Sequence, residues 1–437
     1  MIVMLKKFSV ENFKGFQDKI TFDIGSPSNY NFNSEIIKNG CVTKGIIYGI
    51  NSSGKSNLGL AIFDIITHLT DKQKLLSSYD FYLNMSGRKS FAEFEYTFMF
   101  DGHEVVYRYS KNDVNTMKSE SLSIDGKEVI FFDFLTRDGF TLLDGSGTLN
   151  VSIKSESPIS RVRYVNNNSI LTDNEQNRVF KKFIDFVERM LLFYSLDSRG
   201  YEGFTNGNEG VAEGIVNSGK VQDFQRFLKE NDIDYELYGC EVDGKKAIYC
   251  HFDNTDADFF KIASTGTRSL ALFYYWYIRM EKASFVFIDE FDAFYHYEMS
   301  ENVMNFLKKK YPKCQIIMTS HNTNLMTNRL MRPDCLFILS RTGTLTSLCN
   351  ATERELREGH NKDVYGSVKK CVQEIDAQFA GNRYYEYCYQ ANYRKIVKSE
   401  RTFKYISEYA NINKIKKILL AYKLFYVGSV SYTHLTL

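Results

Sequence analysis

At 437 residues, 43% of them hydrophobic, the chain suits one large domain or two to three ordinary ones with an ample core. Lys and Arg number 55 against 53 Asp and Glu, a net charge of +2, so no overall charge argues for nucleic acid or a membrane surface. The 8 cysteines include no C-x-x-C pair, which points to reduced thiols rather than a disulfide frame or a zinc site.

In chain order, "MIVMLKKFSVENF" lacks the apolar core of a signal peptide. Alternation at Phe8 and Val10, and again at Ile20, Phe22 and Ile24, predicts strands. "GIIYG" then predicts a buried strand leading into "YGINSSGKSNL". Gly49, Gly54, Lys55 and Ser56 there fit G-x-x-x-x-G-K-[ST]. Small residues let such a loop fold back so that its N–H groups face one anion. The loop also includes Asn51, Ser52, Ser53 and Asn57. Lysine adds a mobile charge for the outer phosphates, and the final hydroxyl is placed to bind Mg²⁺. Leu58, Ala61, Ile62, Ile65, Ile66 and Leu69 follow at helical spacing, so a helix N-terminus is aimed at the phosphates.

Residues 90–170 read as antiparallel β, with Asp-Gly turns predicted at Asp101-Gly102, Asp125-Gly126 and Asp138-Gly139, and a fourth at Asp243-Gly244. Residues 175–235 read as mainly helical, with Phe180, Phe183, Ile184, Val187, Met190 and Leu191 on one face. From about 259 to 350 helices and strands alternate. "STGTRSL", Ser264 to Leu270, opens an apolar helix with small residues, a second candidate anion site, although a plain Ser264 cap explains the same residues. The longest apolar run, "LALFYYWYI" from Leu270, is too short to span a bilayer, so a cytoplasmic location is expected.

"FVFIDE" places Asp289 and Glu290 at the C-terminal end of a predicted central strand, where open α/β sheets bind ligands. An Asp there holds Mg²⁺ in phosphate-loop enzymes, and a neighbouring carboxylate can deprotonate the attacking water. "CQIIMTSHNTNLM" predicts one further strand, with Ser320 and His321 at its end.

The long interval between Ser56 and Asp289 suits an ABC-type head with lobes inserted between the motifs. "VENFKGF", "YGINSSGKSNL", "STGTRSL", "FIDEFDAF" and "TSHNTNLM" together resemble the ABC-head ATPases of the RecF, SMC and OLD group. Within it, the chain looks most like stand-alone RloA-like and abortive-infection ATPases of phage-defence operons. The resemblance implies an α/β P-loop NTPase fold with an inserted antiparallel β lobe and a helical signature lobe. It implies ATP and Mg²⁺ as ligands, with Ser56 and Asp289 on the metal, Glu290 as the base and His321 sensing the γ-phosphate. Ser264, Thr265, Gly266, Thr267 and Arg268 match the signature that contacts ATP held by another subunit, with Thr265 in place of the usual first glycine. His296 falls in the subunit-contact loop, and Asn12 to Phe16 in a loop near the nucleoside. The implied divisions are 1–75 and 259–360 for the two halves of the core, 76–174 for a β-rich insertion and 175–258 for a helical lobe with a hairpin. Residues 361–437 form a tail rich in Tyr, Lys, Asn and Ile, with a basic helix expected from Lys395 to Lys417. Its last residues, "VSYTHLTL", resemble a translated adapter remnant, and no function is placed on it.

The expected assembly is a homodimer or higher homo-oligomer that regulates a separate effector, a nuclease or toxin, since no second active site is visible. The alternative is a DNA-repair or DNA-end-binding head that clamps nucleic acid.

Overall fold

The computed structural model describes residues 3–49, 51–70, 76–148, 159–194, 201–204, 209–292, 297–322, 325–327, 329–341 and 343–351. The expectations for His296 and for the tail lie outside these residues.

One 7-stranded sheet has the order β12-β11-β16-β17-β5-β18-β19. Its central strands are β11 (Met190–Tyr194), β16 (Phe285–Asp289), β17 (Gln315–Ser320), β5 (Lys44–Tyr48) and β18 (Leu336–Leu339), paired in parallel. The edge strands β12 (Tyr201–Gly203) and β19 (Leu345–Ser347) run antiparallel. Both faces of a parallel sheet are covered, so these strands read as unbroken apolar runs, and Phe285 to Ile288, Ile316 to Met318 and Leu336 to Leu339 are all buried. The strand carrying His321 at its end lies between the phosphate-loop strand β5 and the carboxylate strand β16. That order brings the three motif-bearing strand ends side by side.

The second 7-stranded sheet is antiparallel, in the order β10-β9-β8-β7-β6-β1-β2. It comprises β1 (Val3–Glu11), β2 (Ile20–Asp23), β6 (Ala92–Phe100), β7 (His103–Lys111), β8 (Met117–Ile124), β9 (Lys127–Asp133) and β10 (Asp138–Thr141). The first two strands of the chain thus belong to this antiparallel sheet. A short hairpin of β3 (Ile37–Lys38) and β4 (Cys41–Val42) precedes β5. Gln315 ties the sheets together: its side-chain oxygen accepts from Leu5 N–H at 2.7 Å, and its amide donates to Leu5 O at 2.8 Å.

Three of the four Asp-Gly turns stand as expected. Asp101, Asp125 and Asp243 and the glycines after them all have positive φ, as a two-residue turn between right-twisted strands requires. Asp138-Gly139 is instead the start of β10. The turn before it is built by Asp133, whose Oδ1 accepts from Leu135 and Thr136 N–H, and by Arg137 at φ 57°.

The phosphate-loop helix is split into α1 (Lys55–Phe63) and α2 (Ile66–Leu69). Then come α3 (Arg161–Asn168) and α4 (Glu175–Glu188), whose Phe183 and Phe186 pack on Phe98 of β6 with ring centroids 5.4 and 5.3 Å apart. Among its described residues the region 175–235 is mainly helical, as expected, but two strands interrupt it. Helix α4 ends at Glu188, and Met190 and Leu191 belong to the central strand β11. Further on, α5 (Val211–Asn217) and α6 (Val221–Lys229) pack against a 3-stranded sheet of β13 (Glu236–Val242), β14 (Lys245–Phe252) and β15 (Thr255–Asp258). The one-turn helix α7 (Phe259–Ile262) leads directly into α8 (Thr265–Tyr277), and α9 (Tyr297–Lys310) connects β16 to β17.

Candidate nucleotide-binding site

The loop after β5 is wound as a phosphate cradle. Ser52 (φ 65°) and Gly54 (φ 97°) both take left-handed backbone, and a Cβ on Gly54 would also meet the Phe16 ring at 3.1 Å. The loop therefore turns sharply into α1. Lys55 is buried, and its Nζ donates to Gly49 O at 2.8 Å, folded back over the loop. Burial is the main influence on this lysine and lowers its pKa; the charges of Glu290, Asp289 and Asp292 act the other way. Asn51, Ser52 and Ser56 are exposed, Asn57 is half-buried, and Ser53 is buried with an Oγ that has no hydrogen-bond partner.

Strand pairing brings residues distant in sequence onto this loop. Ser56 Oγ donates to Asp289 Oδ2 at 2.6 Å. Thr319, on β17, donates to Asp289 Oδ1 at 2.7 Å, and its Oγ1 also accepts from Glu290 N–H at 2.7 Å. Glu290 has φ 49°, an unusual backbone for a residue with a Cβ. Burial raises its pKa first, and the neighbouring Asp289 raises it further. Asp292 is buried with its Oδ1 unpartnered, and its Oδ2 accepts from Ser320 Oγ at 2.7 Å. Burial raises its pKa as well, with His321 and Lys55 acting against that. His321 is exposed immediately after β17, close enough for its charge to act on both carboxylates.

The structure therefore gathers Gly49, Lys55, Ser56, Asp289, Glu290 and His321 at one sheet end. Ser56 Oγ and Asp289 Oδ2 are two hard oxygen donors already in contact, a pairing that fits Mg²⁺. Sequence reasoning missed Thr319, Asp292 and Arg341, whose guanidinium donates to Asn51 O at 3.3 Å. Only Asp292 had a readable signal, as a third carboxylate within "DEFD".

The 12–16 loop lies against the phosphate loop, where a Cβ on Gly15 would meet Asn57 Nδ2 at 3.0 Å. Asn12 itself is buried and donates to Lys89 O and Phe91 O at 2.8 and 2.9 Å. Its amide holds the loop to the antiparallel sheet.

Ser264 caps α8: its Oγ accepts from Thr267 N–H at 3.1 Å. Ser264, Thr265 and Arg268 are exposed, Gly266 is half-buried and Thr267 is buried. The hydrogen bonds described for residues 264–268 stay within this segment and its helix. Ser264, Thr265 and Arg268 are thus the members of the signature candidate that are open to solvent.

Residues 156–327 match a family model described as "AAA domain, putative AbiEii toxin, Type IV TA system". The matched stretch contains the signature candidate, both strand-end carboxylates and His321. No curated protein matches the chain. Among solved structures, the SMC head domain from Thermotoga maritima aligns at 15% identity and TM-score 0.40, covering 79% of this chain and 98% of that one. An Smc head bound to the C-winged helix domain of ScpA aligns at 14% and 0.42, covering 78% and 96%. The Smc head domain with an extended coiled coil, bound to the C-terminal domain of ScpA from Pyrococcus furiosus, aligns at 12% and 0.38, covering 80% and 98%. No helix among the described residues is long and apolar enough to cross a membrane.

Proposed function

We propose, from the premise of a P-loop ATPase head with an AAA-domain region, that this chain binds ATP and hydrolyses it to ADP and phosphate. The observation that carries the reading is the 2.6 Å contact between Ser56 Oγ and Asp289 Oδ2 beside a buried lysine and a second carboxylate. Lys55 and the loop N–H groups bind the phosphates. Ser56 and Asp289 would hold Mg²⁺, which when bound neutralises phosphate charge and polarises the bond to be broken. Glu290 accepts a proton from the attacking water. Its raised pKa brings it closer to neutrality than an ordinary carboxylate, which strengthens it as a base. In this reading His321 and the Lys55 ammonium are the groups that meet the γ-phosphate.

The exposure of Ser264, Thr265 and Arg268 supports closure of two copies, each offering this helix N-terminus to ATP held by the other. ATP drives closure because it alone bridges the two surfaces. The description of the matched family, which names a type IV toxin–antitoxin system, supports a role in bacterial defence. The regulated partner in this reading is a separate nuclease or toxin.

The test is the solution mass of Glu290→Gln with and without MgATP. The substitution keeps binding and stalls hydrolysis, so a closed pair accumulates and the mass doubles only with nucleotide. A mass unaffected by nucleotide, with ATP shown to be bound, would refute the closure reading.

A further inference from the structure

The Thr319 side chain hydrogen-bonds to both residues of the carboxylate pair. It lies on β17, the strand inserted between the phosphate-loop strand and the carboxylate strand, and it is fully buried. Its single hydroxyl proton is committed to Asp289 Oδ1 at 2.7 Å, and its oxygen accepts from Glu290 N–H at 2.7 Å. The Ser56 hydroxyl takes the opposite oxygen of Asp289. A carboxylate with a donor on each oxygen is locked in rotation about its terminal bond. Glu290, meanwhile, sits at φ 49°, in a region costly for a residue with a Cβ unless its surroundings enforce it. The Thr319 oxygen is an acceptor for the N–H of this strained residue. Phe291 N–H, the next along, donates to Thr319 O at 3.2 Å, so the turn after β16 is fastened to Thr319 at two successive residues.

We propose that Thr319 is a positioning residue for hydrolysis: its hydroxyl fixes the rotation of Asp289 and holds the Glu290 backbone so that the carboxylate of Glu290 meets the attacking water. This inference rests on the proposed roles of Asp289 and Glu290. It goes beyond them by assigning the alignment of both to a neutral residue on another strand. Orientation is needed in the transition state more than in the bound state, so the effect falls on turnover.

The experiment compares Thr319→Val, Thr319→Ser and Glu290→Gln with the full wild-type chain, measuring kcat, KM and the Kd for MgATP. Valine keeps the β-branch and removes the hydroxyl; serine keeps the hydroxyl. We expect Thr319→Val to lower kcat about ten- to a hundredfold while Kd stays within about threefold, as the loss of hydrogen bonds to a charged group predicts. Thr319→Ser should keep kcat within about threefold of wild type. Retained ATP binding doubles as the check that the variant is folded, and Thr319→Ala replaces it if the valine variant is not. A Glu290-dependent rate that Thr319→Val leaves intact would overturn the proposal alone. So would equal losses in the serine and valine variants, which would mark a packing effect, or a Kd that weakens in step with kcat. A wild-type rate untouched by Glu290→Gln would overturn the reading of Glu290, and this inference with it.

Discussion

Replacing Lys111 with methionine tests how the phosphate-loop helix is anchored. Asp64, just after α1, and Lys111, at the end of β7, are both 0% exposed, with Nζ and Oδ2 2.8 Å apart. Lys111 also donates to Thr67 Oγ1 at 2.8 Å, and Tyr109 OH donates to the same Asp64 oxygen at 2.9 Å. Methionine fills the space of the lysine stem but leaves the Asp64 charge in the core with one fewer donor. Breaking a buried pair in this way costs about 3–5 kcal/mol, and the retained Tyr109 donor places the expected loss near the lower figure. That is a large part of the roughly 5–15 kcal/mol that holds an ordinary fold. The assay is denaturant unfolding followed by the fluorescence of Trp276, the single tryptophan, which is buried on α8 against Phe193. Adding Asp64→Asn should recover more than half of the loss by removing the uncompensated charge. A loss below about 1 kcal/mol, typical of an exposed pair, would refute the reasoning, as would a double variant no better than the single one.

Lys55→Met should weaken MgATP binding by at least about tenfold while leaving the unfolding transition intact, checked by calorimetric titration; unchanged affinity would remove this lysine from the phosphate site. The kcat profile should have an acid limb above about 4.3, the ordinary glutamate value, because burial and then Asp289 raise Glu290 and it must be ionised to act; a limb at or below that value would contradict its role as base. Ser264→Ala should cost about 1 kcal/mol of stability as a lost helix cap, whereas Ser264→Arg in the Glu290→Gln background should also abolish the ATP-dependent gain in mass; a mass that still doubles would detach this segment from the subunit contact. Glu120 is buried, accepts from Tyr107 and Ser160 hydroxyls and Arg161 N–H, and has its pKa raised chiefly by burial. Stability should therefore fall as pH rises from about 4.3 through its folded value, and Glu120→Gln, which does not titrate there, should flatten that slope in pH-dependent melting curves.

Much of the site was readable because its residues are local runs with a distinctive chemistry. Strand, loop and helix around Lys55, and the carboxylates after "FVFI", need only a few neighbouring residues to be recognised. Strand β11 was missed for the converse reason. Met190 and Leu191 continue the spacing of Phe183, Ile184 and Val187, and a buried parallel strand has no period of its own to break that pattern. The actual stop is Arg189, which leaves the helical backbone, and nothing in its residue type announces it. Asp138-Gly139 misled because a turn signal also suits a strand start when another side chain, here Asp133, has already satisfied the turn. Thr319 and Lys111 could not be found from spacing at all. Each acquires its partner through strand pairing or sheet packing, and an ordinary Thr and an ordinary Lys carry no mark of that.

These two hidden residues act at opposite ends of the same assembly. At its start, α1 meets the 12–16 loop, which Asn12 ties to the antiparallel sheet. At its end, Asp64 is gripped by Lys111 and Tyr109 of that sheet. The phosphate-loop helix is thus fastened at both ends to the β lobe, while its Ser56 touches a carboxylate whose other oxygen is held by β17. Displacing the helix along its axis breaks a buried ion pair, and displacing β16 breaks the Thr319 contacts. Packed interiors of this kind respond as units and not by gradual deformation. These contacts tie any shift of the phosphate-loop helix to the antiparallel sheet. Lys111→Met consequently should weaken more than stability. At a temperature where it remains folded, it should uncouple MgATP binding from protection of β6 and β7 amides in hydrogen exchange, whereas the wild-type chain should show protection there on binding. Equal protection in both would place the transmission elsewhere.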